Sequence, residues 1–221
     1  MARARVLPSP GVPEAVWAIV VAAGSGERFG GPKQYESLGD GTVLDRSVAV
    51  ARAVADKVIV VVPPGRARGS GDVEGGPTRS ESVRRGLAAL PDQAEIVVVH
   101  DGARPFASPE LYRAVIDAVR AGADAAVPGV AVSDTIKVVD TAMTVVDTPD
   151  RATLVAVQTP QAFAADRLRA AHTGQPEGTD DASLVEAIGG RVVVVPGEPE
   201  NRKITVADDL QWARQRVAEE R

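Results

Sequence analysis

Largely apolar runs alternate with segments of helical spacing through the first 127 residues. Such runs predict strands, and four occur in this part, at Val16–Val21, Lys57–Val62, Glu95–Val99 and Ala123–Val127. Between them, apolar residues recur at three- or four-residue intervals, which predicts helices. Strands and helices that alternate in this way form a mainly parallel, twisted sheet covered by helices on both faces. The pattern therefore predicts an α/β fold.

Polar residues that can cap a helix precede the helical segments. Thr42 and Asp45 have the spacing of a capping box, and Ser108 followed by a proline is typical of a helix start. Ser80 is the predicted cap of the helix after the second strand, and Thr179 is the predicted cap of a helix nearer the C-terminus.

The pattern changes between residues 133 and 157, where two β-rich runs flank a short turn. This predicts a β-hairpin that projects from the main sheet, and we call residues 132–157 the arm. Because an isolated hairpin is at best marginally stable, we expect the arm to pack against a second copy of the chain and form a homodimer. An ordinary surface hairpin is the alternative.

Two further segments complete the prediction. The composition of residues 63–77 predicts a loop, and the largely apolar run Arg191–Val195 predicts a further strand.

Composition supports one globular domain over residues 15–221. Residues 1–14 contain three prolines and no apolar signal segment, so we expect a flexible extension there. Hydrophobic residues make up 44% and aromatic residues only 3%, so the core must consist of Val, Leu, Ile and Ala. A net charge of −5 provides no basic footprint for nucleic acid, and no apolar segment approaches the ~20 residues of a membrane helix. We expect a cytoplasmic protein with neither a nucleic-acid nor a membrane partner.

Residue counts also exclude several kinds of chemistry. The chain has no cysteine, which excludes a thiol nucleophile, a disulfide framework and a cysteine zinc site. Its two histidines argue against a histidine-based metal site.

The loop after the first strand carries the strongest chemical signal. It runs from Ala22 to Gln34 and has glycines at positions 24, 26, 30 and 31, so its backbone amides can wrap an anion. Arg28 and Lys33 add two cations, and together these features predict a loop that wraps a nucleoside triphosphate. A glycine-rich surface loop with solvated cations is the alternative. The chain lacks the Gly-Lys-Ser/Thr of a Walker loop, and the glycine spacing does not match a nicotinamide site.

Three further motifs lie where ligands bind in such folds, at strand ends and a helix start. Gly75–Val83 offers free amides and the Ser82 hydroxyl to a base or a phosphate, although a plain capped helix start explains it equally well. After the third strand, Asp101 and Arg104 can serve a divalent cation and an anionic substrate, or can pair with each other. The neighbouring His100 is interpreted as a packing residue. Lys203 follows near a predicted strand end, where a lone lysine is normally solvated.

In series, these motifs resemble the 2-C-methyl-D-erythritol 4-phosphate cytidylyltransferases of the non-mevalonate isoprenoid pathway. The segments that match are Ala22–Gln34, Gly75–Val83, Val99–Pro105, Asp134–Lys137, Asp150–Phe163, Thr179–Ser183 and Asn201–Leu210. The resemblance implies a Rossmann-like nucleotidyltransferase fold, a homodimer with exchanged arms, and a divalent cation, usually Mg²⁺. It also implies that CTP and a phosphosugar alcohol are the substrates.

The resemblance further implies a role for each candidate residue. Arg28 and Lys33 would be catalytic and hold the triphosphate. The nucleotide site would be lined by Ala22, Ala23, Gly24, Gly26, Gly76, Ser82 and Asp101, of which Asp101 would also bind the metal. The phosphosugar would face Asp101, Ala103, Arg104 and Lys203, joined by Thr135 and Arg151 from the partner's arm.

Two residues depart from the family pattern, and two other functions stay open. Pro77 stands where an acidic residue often follows the Gly-Gly pair, and Arg202 replaces an aliphatic residue. A cytidylyltransferase acting on ribitol 5-phosphate shares most of the motifs, although Ala22–Gly24 and Thr179–Ala182 favour methylerythritol phosphate. A nucleotide-binding module without turnover is the other alternative, against which the presence of all four residues Arg28, Lys33, Asp101 and Lys203 argues.

Overall fold

An eight-stranded sheet forms the centre of the structure, a computed structural model that describes residues 15–67, 69 and 71–220. The strands of the chain are β1 Val16–Val21, β2 Ser37–Leu38, β3 Gly41–Thr42, β4 Lys57–Val62, β5 Asp72–Glu74, β6 Ile96–Asp101, β7 Ala125–Ala131, β8 Val138–Val139, β9 Val145–Asp147, β10 Val155–Val157, β11 Gln161–Ala164 and β12 Val192–Pro196. The helices are α1 Val43–Val54, α2 Arg79–Ala88, α3 Pro109–Arg120, α4 Ala165–Ala171, α5 Asp181–Ala187 and α6 Ala207–Glu219. The predicted extension over residues 1–14 lies outside the described residues.

The sheet is mainly parallel, as the alternation of strands and helices predicted. β1 lies at its centre with β4 on one side and β6 on the other, both parallel to it. Val21 at the end of β1 is in register with Val61 and Asp101, so the carboxyl ends of these three strands meet at one edge. β5 extends the sheet beyond β4. β11 runs antiparallel between β6 and β7, while β10 and β12 complete the pairing of β7.

Successive residues of the central strands pack against opposite helical layers, as the two-residue strand period requires. Ala18 and Val20 of β1 face α1 and α3, whereas Ile19 faces α2, α4 and α5. All three are fully buried, and burying a side chain the size of Val or Ile contributes ~1.5–3 kcal/mol. The core is therefore mainly aliphatic, as the shortage of aromatic residues predicted, but it also contains the fully buried rings of Tyr112 and Phe163.

Two of the predicted helix caps are confirmed. The Thr42 hydroxyl accepts the Asp45 amide at 3.1 Å, and the Asp45 carboxylate accepts the Thr42 amide at 2.8 Å, which completes the capping box of α1. Ser108 caps α3 by accepting the Leu111 amide at 3.0 Å.

The other two predicted caps are wrong by one or two residues. Thr78 rather than Ser80 caps α2, since its hydroxyl accepts the Glu81 amide at 3.1 Å, while Ser80 lies inside the first turn. Asp180 rather than Thr179 caps α5. In both cases a second capping residue next to the helix start is the one whose side chain reaches the third amide of the helix.

Four elements, β5, β10, β11 and α4, depart from the prediction. The predicted loop over residues 63–77 contains the short edge strand β5, and the stretch 161–171 forms β11 and α4, which the pattern did not indicate. In the arm, β8 and β9 form the predicted hairpin, whereas β10 returns to the main sheet beside β7. The exposed large apolar side chains of the arm are Ile136, Val138, Val139, Met143, Val145, Val146, Val155 and Val157. Within the described residues, none of the helices has the length and apolar character to cross a bilayer.

Candidate active site

A cleft of about 850 Å³ opens at the carboxyl ends of β1, β4 and β6. Most of the predicted site residues line it, namely Ala22, Ala23, Gly24, Gly26, Arg28, Lys33, Gly76, Ser82, Asp101, Ala103 and Lys203. Parallel strands place their following loops at the same edge of a sheet, so motifs as far apart in sequence as residues 24 and 203 line the same cleft. The predicted residues named above therefore lie together, although Lys203 is in the coil segment that follows β12 and not at a strand end.

The glycine loop owes its shape to Gly26. This residue has φ +72°, in the left-handed region, and its carbonyl accepts the amides of Phe29, Gly30 and Gly31 at 2.8, 3.1 and 3.2 Å. A Cβ atom at position 26 would lie 1.8 Å from the carbonyl oxygen of Gly31. Only glycine therefore fits the turn.

Gln34, which carries no predicted role of its own, fastens this loop. Its side chain is buried and its Nε2 donates to the carbonyls of Ala22 at 2.7 Å and Gly24 at 3.0 Å. The side-chain amide thus holds the first turn of the loop against the short helical turn Lys33–Tyr35.

The two cations of the loop lie in the cleft without anionic partners. Among the described residues, no carboxylate lies within 4 Å of either the Arg28 guanidinium or the Lys33 ammonium. Partial burial lowers the pKa of Lys33, and the nearby charges of Lys203 and Arg28 lower it further. Crowded cations that repel one another form a site for a polyanion, which would relieve the repulsion.

Asp101 faces this group and holds three cations. Its carboxylate lies 2.8 Å from Lys203 Nζ, 3.6 Å from Arg79 Nε and 3.8 Å from Arg104 Nε. Burial alone would raise the pKa of Asp101, but Lys203, Arg79 and Arg104 hold it well below its usual range. The Asp101–Arg104 pair considered from the sequence therefore exists as one part of a larger cluster, and Lys203 is paired rather than simply solvated.

Arg79 was missed by the sequence interpretation. It is the first residue of α2, lines the cleft, and places Nη1 2.7 Å from the buried Asp181 carboxylate. Asp181 also accepts a hydrogen bond from His172 Nε2 at 3.0 Å. The sequence did contain an indication of this contact. The positive end of the helix dipole disfavours a cation in the first turn, so a cation there indicates an acidic partner elsewhere in the chain.

A hydrogen-bonded chain behind the cleft fixes the backbone of Asp101. The Asp101 amide donates to Thr159 Oγ1 at 3.0 Å, and the Thr159 hydroxyl donates to His100 Nδ1 at 3.1 Å. His100 Nε2 then donates to the Arg104 carbonyl at 3.1 Å, since that oxygen can only accept. Complete burial lowers the pKa of His100 to about 4, so the ring is neutral. His100 is an interior residue, as predicted.

Comparison with known proteins decides which family these features belong to. The family model described as IspD: 2-C-methyl-D-erythritol 4-phosphate cytidylyltransferase matches residues 16–219. The chain belongs to this family. A 2-C-methyl-D-erythritol 4-phosphate cytidylyltransferase of Streptomyces coelicolor is 44% identical over 234 residues, covering 92% of this chain and 85% of that protein.

Two further relatives agree with this assignment. The crystal structure of a 2-C-methyl-D-erythritol 4-phosphate cytidylyltransferase from Thermus thermophilus superimposes with a TM-score of 0.79 at 36% identity, covering 93% of this chain and 99% of that one. A bifunctional enzyme IspD/IspF of Clavibacter michiganensis is also 44% identical, covering 90% of this chain but only 54% of that protein. The chain thus spans about half the length of the bifunctional relative.

Three residues to which the family resemblance gives a substrate role do not line the cleft. Arg104 lies behind Asp101 and donates from Nη1 to the Asn201 carbonyl at 2.8 Å. Thr135 and Arg151 lie in the exposed arm, where Arg151 Nη1 donates to the Ser133 carbonyl at 2.6 Å. A single chain of this cytidylyltransferase family member therefore does not bring its arm residues to its own cleft.

The structure also accounts for the departures from the family pattern. Pro77 lines the cleft beside Gly76, so the wall carries no carboxylate at that position. Ser82 accepts the Gly76 amide at 3.1 Å and donates to the Thr78 carbonyl at 2.9 Å, which shapes the turn. Arg202 stacks on the Trp212 ring, 4.7 Å from its centroid, and this contact supplies the packing that an aliphatic residue would have given.

Proposed function

We propose that the chain transfers a cytidylyl group from CTP to 2-C-methyl-D-erythritol 4-phosphate, giving 4-diphosphocytidyl-2-C-methyl-D-erythritol and pyrophosphate. The observation that carries the proposal is the arrangement of one cleft. On one wall, the glycine loop presents Arg28 and Lys33 without anionic partners; on the other, Asp101 holds Lys203. Membership of the cytidylyltransferase family supports the same reaction.

The chemistry requires positioning more than proton transfer. An oxygen of the acceptor phosphate attacks the α-phosphorus of CTP, and the bond from that phosphorus to the oxygen bridging to the β-phosphate breaks, releasing pyrophosphate. The attacking phosphate is already anionic, so it needs no general base, which agrees with His100 being neutral and inside the protein. Arg28 and Lys33 are placed to neutralise negative charge that develops on the phosphates.

Asp101 is the carboxylate of the cleft that we propose as a ligand for a divalent cation. Within the described residues, no group of three Asp, Glu or His side chains could hold a metal ion unaided. Mg²⁺ commonly binds through one or two carboxylates together with substrate phosphates and water, and Asp101 on the cleft wall fits that pattern. When bound there, the cation neutralises charge on the phosphate oxygens. We propose Mg²⁺ as the cofactor on this basis.

We also propose that two chains form a homodimer through the arm. The hairpin exposes a row of apolar side chains, with Met143 77% and Val146 61% exposed. Thr135 and Arg151 lie on the same arm outside their own cleft, so a partner's cleft is where they would meet the phosphosugar. Light scattering of the purified chain should give the mass of a dimer, and a monomer at micromolar concentration would refute this part of the proposal.

A pyrophosphate-release assay with each of the four nucleoside triphosphates tests the reaction. The acceptors are 2-C-methyl-D-erythritol 4-phosphate and ribitol 5-phosphate, each with Mg²⁺ and with a chelator. We expect turnover with CTP and the methylerythritol acceptor, and loss of turnover with the chelator. Preference for ribitol 5-phosphate would replace the proposed acceptor. Tight CTP binding by calorimetry with no pyrophosphate formed would identify a binding module.

A further inference from the structure

One guanidinium in the cleft is shared by two carboxylates from distant parts of the chain. Arg79 places Nη1 2.7 Å from Asp181 and Nε 3.6 Å from Asp101. The Arg79 side chain is 25% exposed in the cleft, whereas the Asp181 side chain is completely buried. Asp181 therefore cannot touch a substrate, but it fixes a group that faces one.

The position of Arg79 is unfavourable for a cation, so the guanidinium needs an anionic partner. A cation at the first residue of a helix opposes the helix dipole, and burial by itself would lower the pKa of Arg79. Pairing with Asp181 and Asp101 reverses that effect and raises the pKa. Asp181 in turn has two partners, Arg79 and His172 Nε2 at 3.0 Å, which satisfy a carboxylate that would otherwise be buried alone.

The partners of Asp101 differ in how firmly they are held. Lys203 makes the shortest contact, but its side chain is 37% exposed and the proposed function turns it toward the phosphosugar. Arg79 is held from behind by Asp181. A planar guanidinium can pair along two edges at once, which the single ammonium of a lysine cannot do.

We infer that Arg79 is a positioning residue for the transfer reaction and that Asp181 is its buried anchor. The pair keeps the Asp101 carboxylate oriented in the cleft when Lys203 turns to the substrate. This inference rests on the proposed function and adds to it two residues that act on the reaction through Asp101.

A double-mutant cycle tests it, using Arg79→Gln, Asp181→Asn and the variant carrying both. Each single change leaves a poorly paired buried charge and should lower Tm by roughly 10 °C. The double variant removes both charges and should recover part of that loss in Tm.

The kinetics of the same variants test the positioning role. If Asp181 acts through Arg79, all three variants should lose about 10- to 100-fold in kcat with smaller changes in KM. The double variant should then be no slower than the single variants. Recovery of kcat together with Tm in the double variant would show a merely structural pair and overturn the inference.

Two further variants separate positioning from charge. Arg79→Lys keeps the positive charge beside Asp181, so its Tm should stay within a few degrees of wild type while kcat falls as in Arg79→Gln. A wild-type kcat for Arg79→Lys would contradict the inference that the guanidinium must pair with Asp181 and Asp101 at the same time. Arg84→Gln is the matched control, because Arg84 lies on the same helix, pairs with Glu81 and Glu177, and is not part of the cleft wall. It should keep kcat within about twofold, and a loss equal to that of Arg79→Gln would also count against the inference.

Failure of the inference differs from failure of the proposed function. If the wild-type chain forms no pyrophosphate with either acceptor, both are overturned. If the wild type is active and the Arg79 and Asp181 variants match its kcat, only the inference is overturned.

Discussion

Acidification should destabilise the fold through His100, because this ring is neutral and fully buried in the native state. Its pKa is lowered from 6.5 to about 4 by burial. Between these values the unfolded chain binds more protons than the folded one, so the free energy of unfolding decreases as the pH falls. Above pH 6.5 the ring is neutral in both states and the contribution is constant. The loss therefore begins near pH 6.5 and is complete below about pH 4.

The hydrogen bonds of His100 give a second reason for this sign. The Thr159 hydroxyl donates to Nδ1, and the same hydroxyl accepts the Asp101 amide. A proton on Nδ1 would face the hydrogen that Thr159 donates, so protonation requires this hydroxyl to turn as well as placing a charge in the interior.

The size of the effect follows from the two pKa values. A difference of about 2.5 pH units corresponds to about 3 kcal/mol of unfolding free energy. That is a large share of the ~5–15 kcal/mol by which a typical domain is stable. For a domain of this size it corresponds to a decrease in Tm of roughly 6 to 12 °C between pH 7 and pH 4.

Urea unfolding of the wild type and of His100→Gln between pH 4 and pH 7 in metal-free buffer measures this contribution. Gln can still donate to the Arg104 carbonyl but does not titrate, so other ionisable groups cancel in the comparison. We expect the free energy of unfolding of the wild type to fall by about 3 kcal/mol more than that of His100→Gln between pH 7 and pH 4. NMR of the wild type provides an independent reading, since the chain has only two histidines. Equal pH dependence in the two proteins, or a His100 resonance that titrates near pH 6.5, would refute the reasoning.

Three further predictions concern the cleft and the arm. Arg28→Ala and Lys33→Ala should each lower kcat by about 10²-fold or more with Tm unchanged, and steady-state rates near wild type would remove either residue from the catalytic role. Arg151→Ala should raise KM for the phosphosugar and leave CTP affinity unchanged; a change confined to CTP would place Arg151 elsewhere. Gly26→Ala should weaken CTP binding by at least about 10-fold, because its Cβ meets the Gly31 carbonyl. Gly30→Ala, with a similar φ of +87° but no atom within 4 Å of its Cβ, separates backbone strain from that clash in the same calorimetric titration.

The central strands could be predicted from the sequence because each is a continuous apolar run buried on both faces. β1 and β4 have the predicted bounds, and β6, β7 and β12 begin within two residues of the prediction. β11 and α4 were missed because neither has a recognisable period. β11 has four residues and one large apolar side chain, Phe163, while Leu168 is the only large apolar residue of α4. The place of β11 between β6 and β7, and of α4 against one face of the sheet, is decided by tertiary packing.

The candidate site also contains parts with a local sequence pattern and parts that depend on tertiary packing. The glycine loop and Asp101 could be identified because each motif is local and directly follows an apolar strand. The contact between Arg79 and Asp181 joins residues 102 positions apart, and it depends on α2 and α5 packing against the same face of the sheet. No local pattern contains that contact. A cation in the first turn of α2 was the one available indication that a distant acidic partner exists.

The cluster around Asp101 also explains how an acidic chain can hold a cleft prepared for a polyanion. The net charge is −5, yet Lys203, Arg79 and Arg104 converge within 3.8 Å of one carboxylate. Without Asp101 these cations would repel one another and move apart. With it they stay in place, and two of the three are tied elsewhere as well, Arg79 to Asp181 and Arg104 to the Asn201 carbonyl. Entry of a phosphate therefore requires only the most exposed of the three, Lys203, to change partner. A site whose charges are already in position needs little reorganisation during reaction, and that is the main source of electrostatic catalysis.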